Sequence, residues 1–284
     1  MRLPILGVVG LLALIPGIAR AQCTPALQRS ITDRRYAEAR AELQAQLKRA
    51  PNDDAAMDCM GRLLLEEGES GDAVDWLEKA VKIDGKSAQH HLGLGSALRA
   101  ETMKAGPLKM PFLAGRLKKE YELAVALDPT LVDARHGLLQ LYAFAPGVMG
   151  GSMAKAREQA AEILKLDPMR GHLDYGMLAE RGEDFAGAEK EFLAGITVRP
   201  DNAVPYNATG SFYRRRERWA DATAMYEKAL KANPDARSTS IAHYGLGVVH
   251  QKNGRAEPAK AEFAAALAAN PDNAEAKKAL ASLK

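Results

Sequence analysis

A motif of the type Ala-Leu, three residues, proline recurs at nearly even intervals along this chain. Its copies end at six prolines and at one glycine that takes the place of a proline: Pro51, Gly85, Pro129, Pro168, Pro200, Pro234 and Pro271. The intervals are 34, 44, 39, 32, 34 and 37 residues, so the period is 34 residues with insertions and one small deletion. A period of this size indicates a stack of similar helix pairs, in which each proline ends one pair and turns the chain into the next.

The first 21 residues have the composition of a secretory signal peptide. A positively charged start at residues 1–2 is followed by an apolar run at 3–15, a Pro-Gly break at 16–17 and the small-residue site Ala-Arg-Ala at 19–21. This pattern predicts cleavage after Ala21 and export to a bacterial periplasm. An uncleaved anchor is the alternative, but the apolar run is shorter than the roughly 20 residues that a spanning helix needs.

The charge of the chain excludes some classes of partner. Loss of Arg2 and Arg20 with the signal peptide lowers the formal net charge from +3 to +1, and acidic and basic residues are mixed along the sequence. Such a balance is not typical of a nucleic-acid binder or of a polybasic membrane anchor. We expect no nucleic-acid partner, and the mature sequence contains no apolar run of spanning length.

The clearest repeat runs from residue 203 to 234, with Tyr206, Gly210 and Tyr213 on its first helix and Ala222 and Tyr226 on its second. This pattern resembles the tetratricopeptide repeat, whose consensus is W-x2-L-G-x2-Y, then A-x3-F and a closing proline. The resemblance covers residues 22–284 and implies an all-α, right-handed α-solenoid of about seven helix pairs. The alanine- and lysine-rich stretch 273–283 then reads as a capping helix over the last pair.

Small and aromatic residues of the repeat have predicted packing roles. Gly210 and Ala222 are small because the two helices of a pair cross closely there. Tyr213 and Tyr226 are predicted to fill the seam between neighbouring pairs. Asp235 and Asp272 follow the prolines that end two of the units, and each is expected to cap the next helix.

The two cysteines fall on neighbouring first helices if the chain stacks as this family does. We expect Cys23 and Cys59 to form a disulfide in an oxidising compartment, since the terminal pair has a neighbour on one side alone. Two free thiols are the alternative.

In this family the first helix of each pair lines a concave groove in which ligands lie. The family pattern, transferred to this chain, makes the following residues candidates for binding a partner: Gln89, Arg99, His136, Gln140, His172, Tyr175, Asn207, Ser211, Arg214, Tyr244 and Gln251. Arg214 also begins the densest positive cluster, Arg214–Arg216 with Arg218. That cluster is either a solvated helix end or an attractor for an acidic segment.

Two insertions separate the helices of consecutive repeats. The first covers residues 100–115 and carries Phe112, and the second covers residues 143–152 and carries Phe144, Val148 and Met149. Because both interrupt the same turn, they are expected to emerge side by side on one edge. Apolar residues in long loops either pack on each other or bind a partner, a second copy of the chain included.

No motif in the sequence indicates chemistry. The six histidines lack the spacing of metal ligands, and no serine or cysteine belongs to a nucleophile motif. His91, His243 and His250 fall in packing positions of the repeat, whereas His136 and His172 remain on first helices. We therefore expect neither an enzyme, nor a metal site, nor a cofactor.

Two functions are consistent with these features. The first is a protein-interaction scaffold of the cell envelope that holds an extended or helical segment of a partner in its groove. The alternative is a small-molecule-binding accessory of a transport system, with its ligand near the two insertions.

Overall fold

The computed structural model describes residues 23–283, so the predicted signal peptide lies outside the described residues. Within this range the chain forms fifteen α-helices and no strand, which confirms the predicted all-α class. The chain divides into two compact units, one ending at Gly85 and the other beginning at Lys86.

The first unit contains two helix pairs. Its helices are α1 (Pro25–Thr32), α2 (Tyr36–Arg49), α3 (Asp54–Glu66) and α4 (Ser70–Ile83). The hydroxyl of Thr24 accepts a hydrogen bond from the backbone N–H of Leu27 and so caps α1. A disulfide joins Cys23, just before α1, to Cys59 on α3, with 5.5 Å between the two Cα atoms.

The second unit contains five helix pairs and one single helix. Its helices are α5 (Ala88–Lys104), α6 (Met110–Leu127), α7 (Val132–Phe144), α8 (Met153–Leu166), α9 (Pro168–Arg181), α10 (Phe185–Val198), α11 (Ala203–Arg215), α12 (Trp219–Lys231), α13 (Ala236–Lys252), α14 (Ala256–Ala269) and α15 (Ala274–Ser282). Each packs on the next along the chain, as in an α-solenoid of helix pairs.

An aromatic ring on the second helix of a pair fills a space left by two glycines. A Cβ added at Gly210 would lie 2.9 Å from the ring of Tyr226, and one added at Gly245 would lie 2.2 Å from it. Gly210 belongs to the same pair as Tyr226, and Gly245 belongs to the next pair. The tyrosine therefore occupies the seam between pairs, as predicted, and the glycines are small because of its ring.

The third repeat contains the same arrangement. The ring of Tyr121 would lie 2.7 Å from a Cβ at Gly95 and 2.5 Å from one at Gly137. Tyr121 and Tyr226 are both among the largest fully buried side chains.

One of the two predicted N-cap residues caps its helix, and the other does not. The carboxylate of Asp235 accepts from the backbone N–H of Ser238 at 2.6 Å, as predicted. Asp272 was the wrong residue for α15, because the side chain of Asn273 accepts from the N–H of Ala276 at 2.9 Å. Asn273 stands directly before the first helical residue, where a cap is effective.

Candidate functional site

The first insertion is shorter as a loop than the sequence indicated. We expected residues 100–115 to separate the helices of the third repeat, but α5 continues to Lys104 and α6 begins at Met110. The connecting turn therefore contains residues 105–109 alone, and the rest of the insertion extends the two helices. The helix-forming residues at 100–104 and Pro111 in the first turn of α6 favour this outcome.

The second insertion keeps its predicted position between α7 and α8. It contains a 3₁₀ turn, Gly147–Met149, which packs on α6. Ser152 then caps α8 through its side chain, which accepts from the N–H of Lys155.

A cavity of about 480 Å³ lies where the two insertions meet. Most of its wall is apolar. Residues of α5, α6, α7 and the second insertion line it: Arg99, Thr102, Met103, Met110, Ala114, Leu117, Gly137, Gln140, Leu141, Phe144, Ala145, Pro146 and Met149. We name it the insertion cavity.

Residues from both predicted binding regions line this cavity. Arg99 and Gln140 were expected in the groove, and Phe144 and Met149 were expected on the insertions. The hydroxyl of Thr102 donates to the backbone carbonyl of Leu98 at 2.6 Å. Arg99 and Gln140 are therefore the side chains best able to bind a polar group of a ligand.

A histidine orients the amide of Gln140. Nε2 of Gln140 donates to Nε2 of His136 at 2.9 Å. Nδ1 of the same imidazole lies 2.9 Å from Oδ1 of Asp174 on α9. Asp174 is 3% exposed and was not among the predicted site residues. Because its amide nitrogen contacts His136, Gln140 has its amide oxygen available to accept a hydrogen bond.

The insertion residues outside the cavity wall are strongly exposed. Val148 is 98% exposed and Phe112 is 68% exposed. The guanidinium of Arg181 lies 4.8 Å from the ring centroid of Phe144, which is about half exposed at the end of α7. The two insertions therefore present apolar surface beside the cavity.

One predicted groove residue has a structural role. Asn207 is 5% exposed, and its side-chain nitrogen donates to the backbone carbonyl of Ser238 at 2.9 Å. The amide of Asn207 thus links α11 to α13, and its role in binding a partner stays a prediction.

Other groove candidates on α11 and α13 form a polar group around the buried tyrosine. Nε of Arg214 donates to the hydroxyl of Tyr226 at 3.3 Å, and the hydroxyl of Ser211 lies 3.1 Å from the same oxygen. The guanidinium of Arg214 also lies 5.8 Å from the ring centroid of Tyr244. The remaining candidates are half-buried on first helices and lie at Gln89, His172, Tyr175 and Gln251.

The positive cluster after Arg214 is engaged within the protein. Nε and Nη2 of Arg215 donate to the carboxylate of Glu180 at 2.7 Å and 2.6 Å. Arg218 pairs with Glu189 at 2.8 Å and with Asp221 at 2.7 Å. The guanidinium of Arg216 lies 3.7 Å from the ring centroid of Phe185. Of the two interpretations, the structure favours a helix end held by its neighbours.

Three histidine–glutamate pairs recur in alternate repeats, and the sequence analysis missed them. Nδ1 of the histidine lies 2.6–2.7 Å from a glutamate oxygen in His91–Glu120, His172–Glu191 and His243–Glu262. In each repeat the histidine stands four residues before a glycine, and the glutamate directly precedes the buried aromatic residue of the second helix. That spacing was readable in the sequence. His172 therefore makes the same contact as His91 and His243, while its role as a groove residue stays a prediction.

Two buried tyrosines have raised pKa values. Burial, followed by the negative charge of Glu122, raises the pKa of Tyr142 to about 12. Burial and a hydrogen bond to Glu189 raise the pKa of Tyr213 to about 12 as well. Both hydroxyls donate to these carboxylates, at 3.1 Å and 2.8 Å.

Sequence comparisons agree with the repeat pattern. Models of the tetratricopeptide repeat match residues 31–88 and 213–283. A TPR repeat-containing protein of Pseudomonas aeruginosa is 30% identical over 165 residues, which are 56% of this chain. The matched region spans 27% of the length of that relative.

Solved structures share the fold. A tetratricopeptide repeat protein from Parabacteroides merdae superposes with a TM-score of 0.65 at 16% identity, covering 91% of this chain and 96% of the other. Yeast Tom70 superposes with a TM-score of 0.67 at 15% identity, covering 89% of this chain and 52% of the other.

These matches identify the fold and the type of repeat. The described residues have the fold of tetratricopeptide repeat proteins. Among residues 23–283, none of the helices has both the length and the apolar character required to cross a bilayer. Repeat pattern, helix pairs and matches at both ends of the chain lead to one conclusion: the chain is a tetratricopeptide repeat protein.

Proposed function

We propose that the protein is an exported scaffold of the cell envelope that binds an extended or helical segment of a partner protein. The segment would lie along the first helices of the second unit and place one apolar side chain in the insertion cavity. The export part of the proposal is supported by the signal-peptide pattern of residues 1–21.

The observation that supports this function best is the composition of the cavity wall. Arg99 and Gln140, on the first helices α5 and α7, line the same cavity as Phe144 and Met149 of the second insertion. A bound segment can therefore contact the first helices and the insertion at one place. Burial of one Leu, Met or Phe side chain there would contribute about 1.5–3 kcal/mol to binding.

The polar groups of the wall suit the backbone of such a segment. The amide oxygen of Gln140, whose amide nitrogen contacts His136, can accept a backbone N–H. The guanidinium of Arg99 can donate to a backbone carbonyl or to an acidic side chain. An apolar pocket with a few oriented polar groups is the usual composition of a specific binding site.

A small-molecule ligand is the second candidate. The cavity volume of about 480 Å³ lies within the range of about 300–1,000 Å³ that is usual for small-molecule sites. In that case an apolar compound would fill the cavity, and Arg99 would pair with an acidic group on it.

Paired variants of the exported, tagged protein test the proposal. Met103→Glu with Met149→Glu places two charges at the cavity, whereas Leu193→Glu with Val198→Glu places them on exposed positions of α10. We expect a protein partner to co-purify with the wild type and with the α10 variant, and to be lost with the cavity variant. Retention of that partner by the cavity variant would refute the proposed site.

The two candidates are separated by what the purified protein contains. Mass spectrometry of an extract of the wild-type protein would show a stoichiometric small compound if the second candidate is right. The same compound should then be absent from the cavity variant and present in the α10 variant.

A further inference from the structure

Positive charge is concentrated around the turn between α5 and α6. We call residues 99–119, which contain this turn and the adjoining parts of both helices, the corner. Residues 99–119 contain six basic side chains and one acidic side chain, a net charge of +5, whereas the whole chain carries +3. All other residues together therefore sum to −2. Lys104 and Lys109 are exposed at this corner and Lys119 is exposed farther along α6, whereas Lys118 pairs with Glu122 at 3.6 Å. The net charge of the whole chain is small and therefore does not reveal this local excess of basic residues.

The same corner carries the most exposed large apolar side chains of the described residues. Leu108 is 96% exposed, Met103 78% and Phe112 68%. Val148, 98% exposed, lies on the 3₁₀ turn that packs on α6. Exposed apolar side chains grouped in this way indicate an interaction surface.

We propose that this corner docks on the surface of an anionic lipid bilayer. Leu108 and Phe112 would enter the headgroup region, and the neighbouring lysines would bind lipid phosphates. Apolar side chains that insert, beside basic residues that attract anionic headgroups, are the combination that holds proteins at a membrane surface without a spanning helix. The long side chains of Lys104 and Lys109 can extend their ammonium groups to the headgroups while their stems contact apolar atoms.

The shape of the corner favours lipid over a protein partner. Leu108 lies in the turn 105–109 and is 96% exposed, and it does not line the insertion cavity. A protruding side chain needs a matching pocket on a protein partner, whereas a lipid surface deforms around it. The insertion cavity, in contrast, is concave and suits a side chain of another molecule.

This docking is independent of the proposed cavity ligand. Met103 and Arg99 also line the insertion cavity, but Leu108, Phe112 and Val148, which would contact the bilayer, do not belong to the cavity wall. A protein docked through them would keep the cavity accessible to a partner, so either inference can fail without the other.

Vesicle flotation of the purified mature protein tests the inference. The probes are vesicles rich in phosphatidylglycerol and vesicles of phosphatidylcholine alone. We expect flotation with the anionic vesicles, at least a tenfold weaker apparent affinity at high salt, and a similar loss for Leu108→Ser with Phe112→Ser. Lys109→Glu with Lys119→Glu should weaken binding to a comparable degree.

Matched controls place the effect at this corner. Leu193→Ser with Val204→Ser removes exposed apolar side chains elsewhere, and Lys228→Glu with Lys231→Glu reverses two exposed charges on α12. Both control variants should bind vesicles as the wild type does. Leu108→Trp should gain fluorescence that brominated acyl chains quench, while Trp76 and Trp219 of the wild type should not respond.

Several results would overturn the inference. These are absence of flotation with anionic vesicles, flotation that the corner variants do not weaken, and an equal loss with the control variants. Light scattering that shows a dimer in the wild type and a monomer in the Leu108→Ser, Phe112→Ser variant would assign the surface to a second copy of the chain instead.

Discussion

The ring of Tyr226 occupies the position where a side chain at residue 245 would begin. A Cβ on Gly245 would lie 2.2 Å from Cζ of Tyr226, which is far inside van der Waals contact. Tyr226 is 1% exposed and Gly245 belongs to the first helix of the following pair. One tyrosine ring thus determines how closely two successive helix pairs approach each other.

Gly245→Ala is expected to lower the free energy of unfolding of the second unit by about 1–3 kcal/mol through overpacking. Gly210→Leu should cost at least as much, because its side chain meets the same ring. Urea denaturation measures both effects. Gly115→Ala on α6 is the matched control: a Cβ there meets no atom within 4 Å, so stability should stay the same or rise by up to about 1 kcal/mol. An unchanged midpoint for Gly245→Ala would contradict the packing described here.

The more deeply buried a histidine–glutamate pair is, the more folding free energy its loss should cost. The side chains of His91 and Glu120 are 5% and 13% exposed, whereas those of His243 and Glu262 are 24% and 25% exposed. Glu120→Leu leaves a buried imidazole nitrogen without this acceptor, and we expect a loss of about 1–3 kcal/mol of folding free energy.

Two comparisons control this prediction. Glu262→Leu should cost less than Glu120→Leu, since water can reach His243. The double variant His91→Leu, Glu120→Leu should recover part of the loss, because it removes donor and acceptor together. Equal costs at the two sites, measured by urea denaturation, would show that burial of the pair is not what matters.

The disulfide should stabilise the first unit. Cys23 and Cys59 are 36 residues apart in sequence, and closing a loop of that length contributes about 3–4 kcal/mol in the chain-entropy model. Reduction, or Cys23→Ser with Cys59→Ser, should lower the stability of helices α1 to α4 by that order. Hydrogen exchange of these helices measures the change, and equal protection before and after reduction would contradict it.

Alkaline pH should destabilise the second unit. Tyr142 and Tyr213 have folded-state pKa values of about 12, above the ordinary value of 10.0. Between these values the unfolded chain loses the two protons that the folded chain keeps, so the free energy of unfolding falls as the pH rises from about 10 through about 12. Below about pH 10 the contribution of both groups is fully present.

Tyr142→Phe removes one of the two groups and should make this decline less steep. Urea midpoints on either side of pH 10, combined with the phenolate absorbance, measure the effect. A decline of unchanged slope in the variant would show that Tyr142 ionises as an ordinary tyrosine.

The repeat could be predicted from the sequence because its signals are local. Prolines near the ends of second helices, small residues such as Gly210 and aromatic residues such as Tyr226 recur at fixed positions, and each acts on its nearest neighbours. Seven weak copies therefore sufficed to predict the helix pairs and the all-α fold that the structure has.

Side-chain partners in the site were harder to predict. The burial of Asn207 depends on the register between α11 and α13, and the contact of His136 with Asp174 depends on the register between α7 and α9. Neither register is encoded by a single repeat. Composition averaged over the chain also concealed the basic corner around Leu108.

Site-specific photo-crosslinking in the exporting cell is the most direct test of the central claim. One probe replaces Met149 at the cavity, and a control probe replaces Leu193, an exposed residue of α10. We predict a discrete protein adduct from the probe at 149, lost when Met103→Glu is added, and none from the probe at 193. Adducts from both positions, or from neither, would contradict a partner segment bound at the insertion cavity.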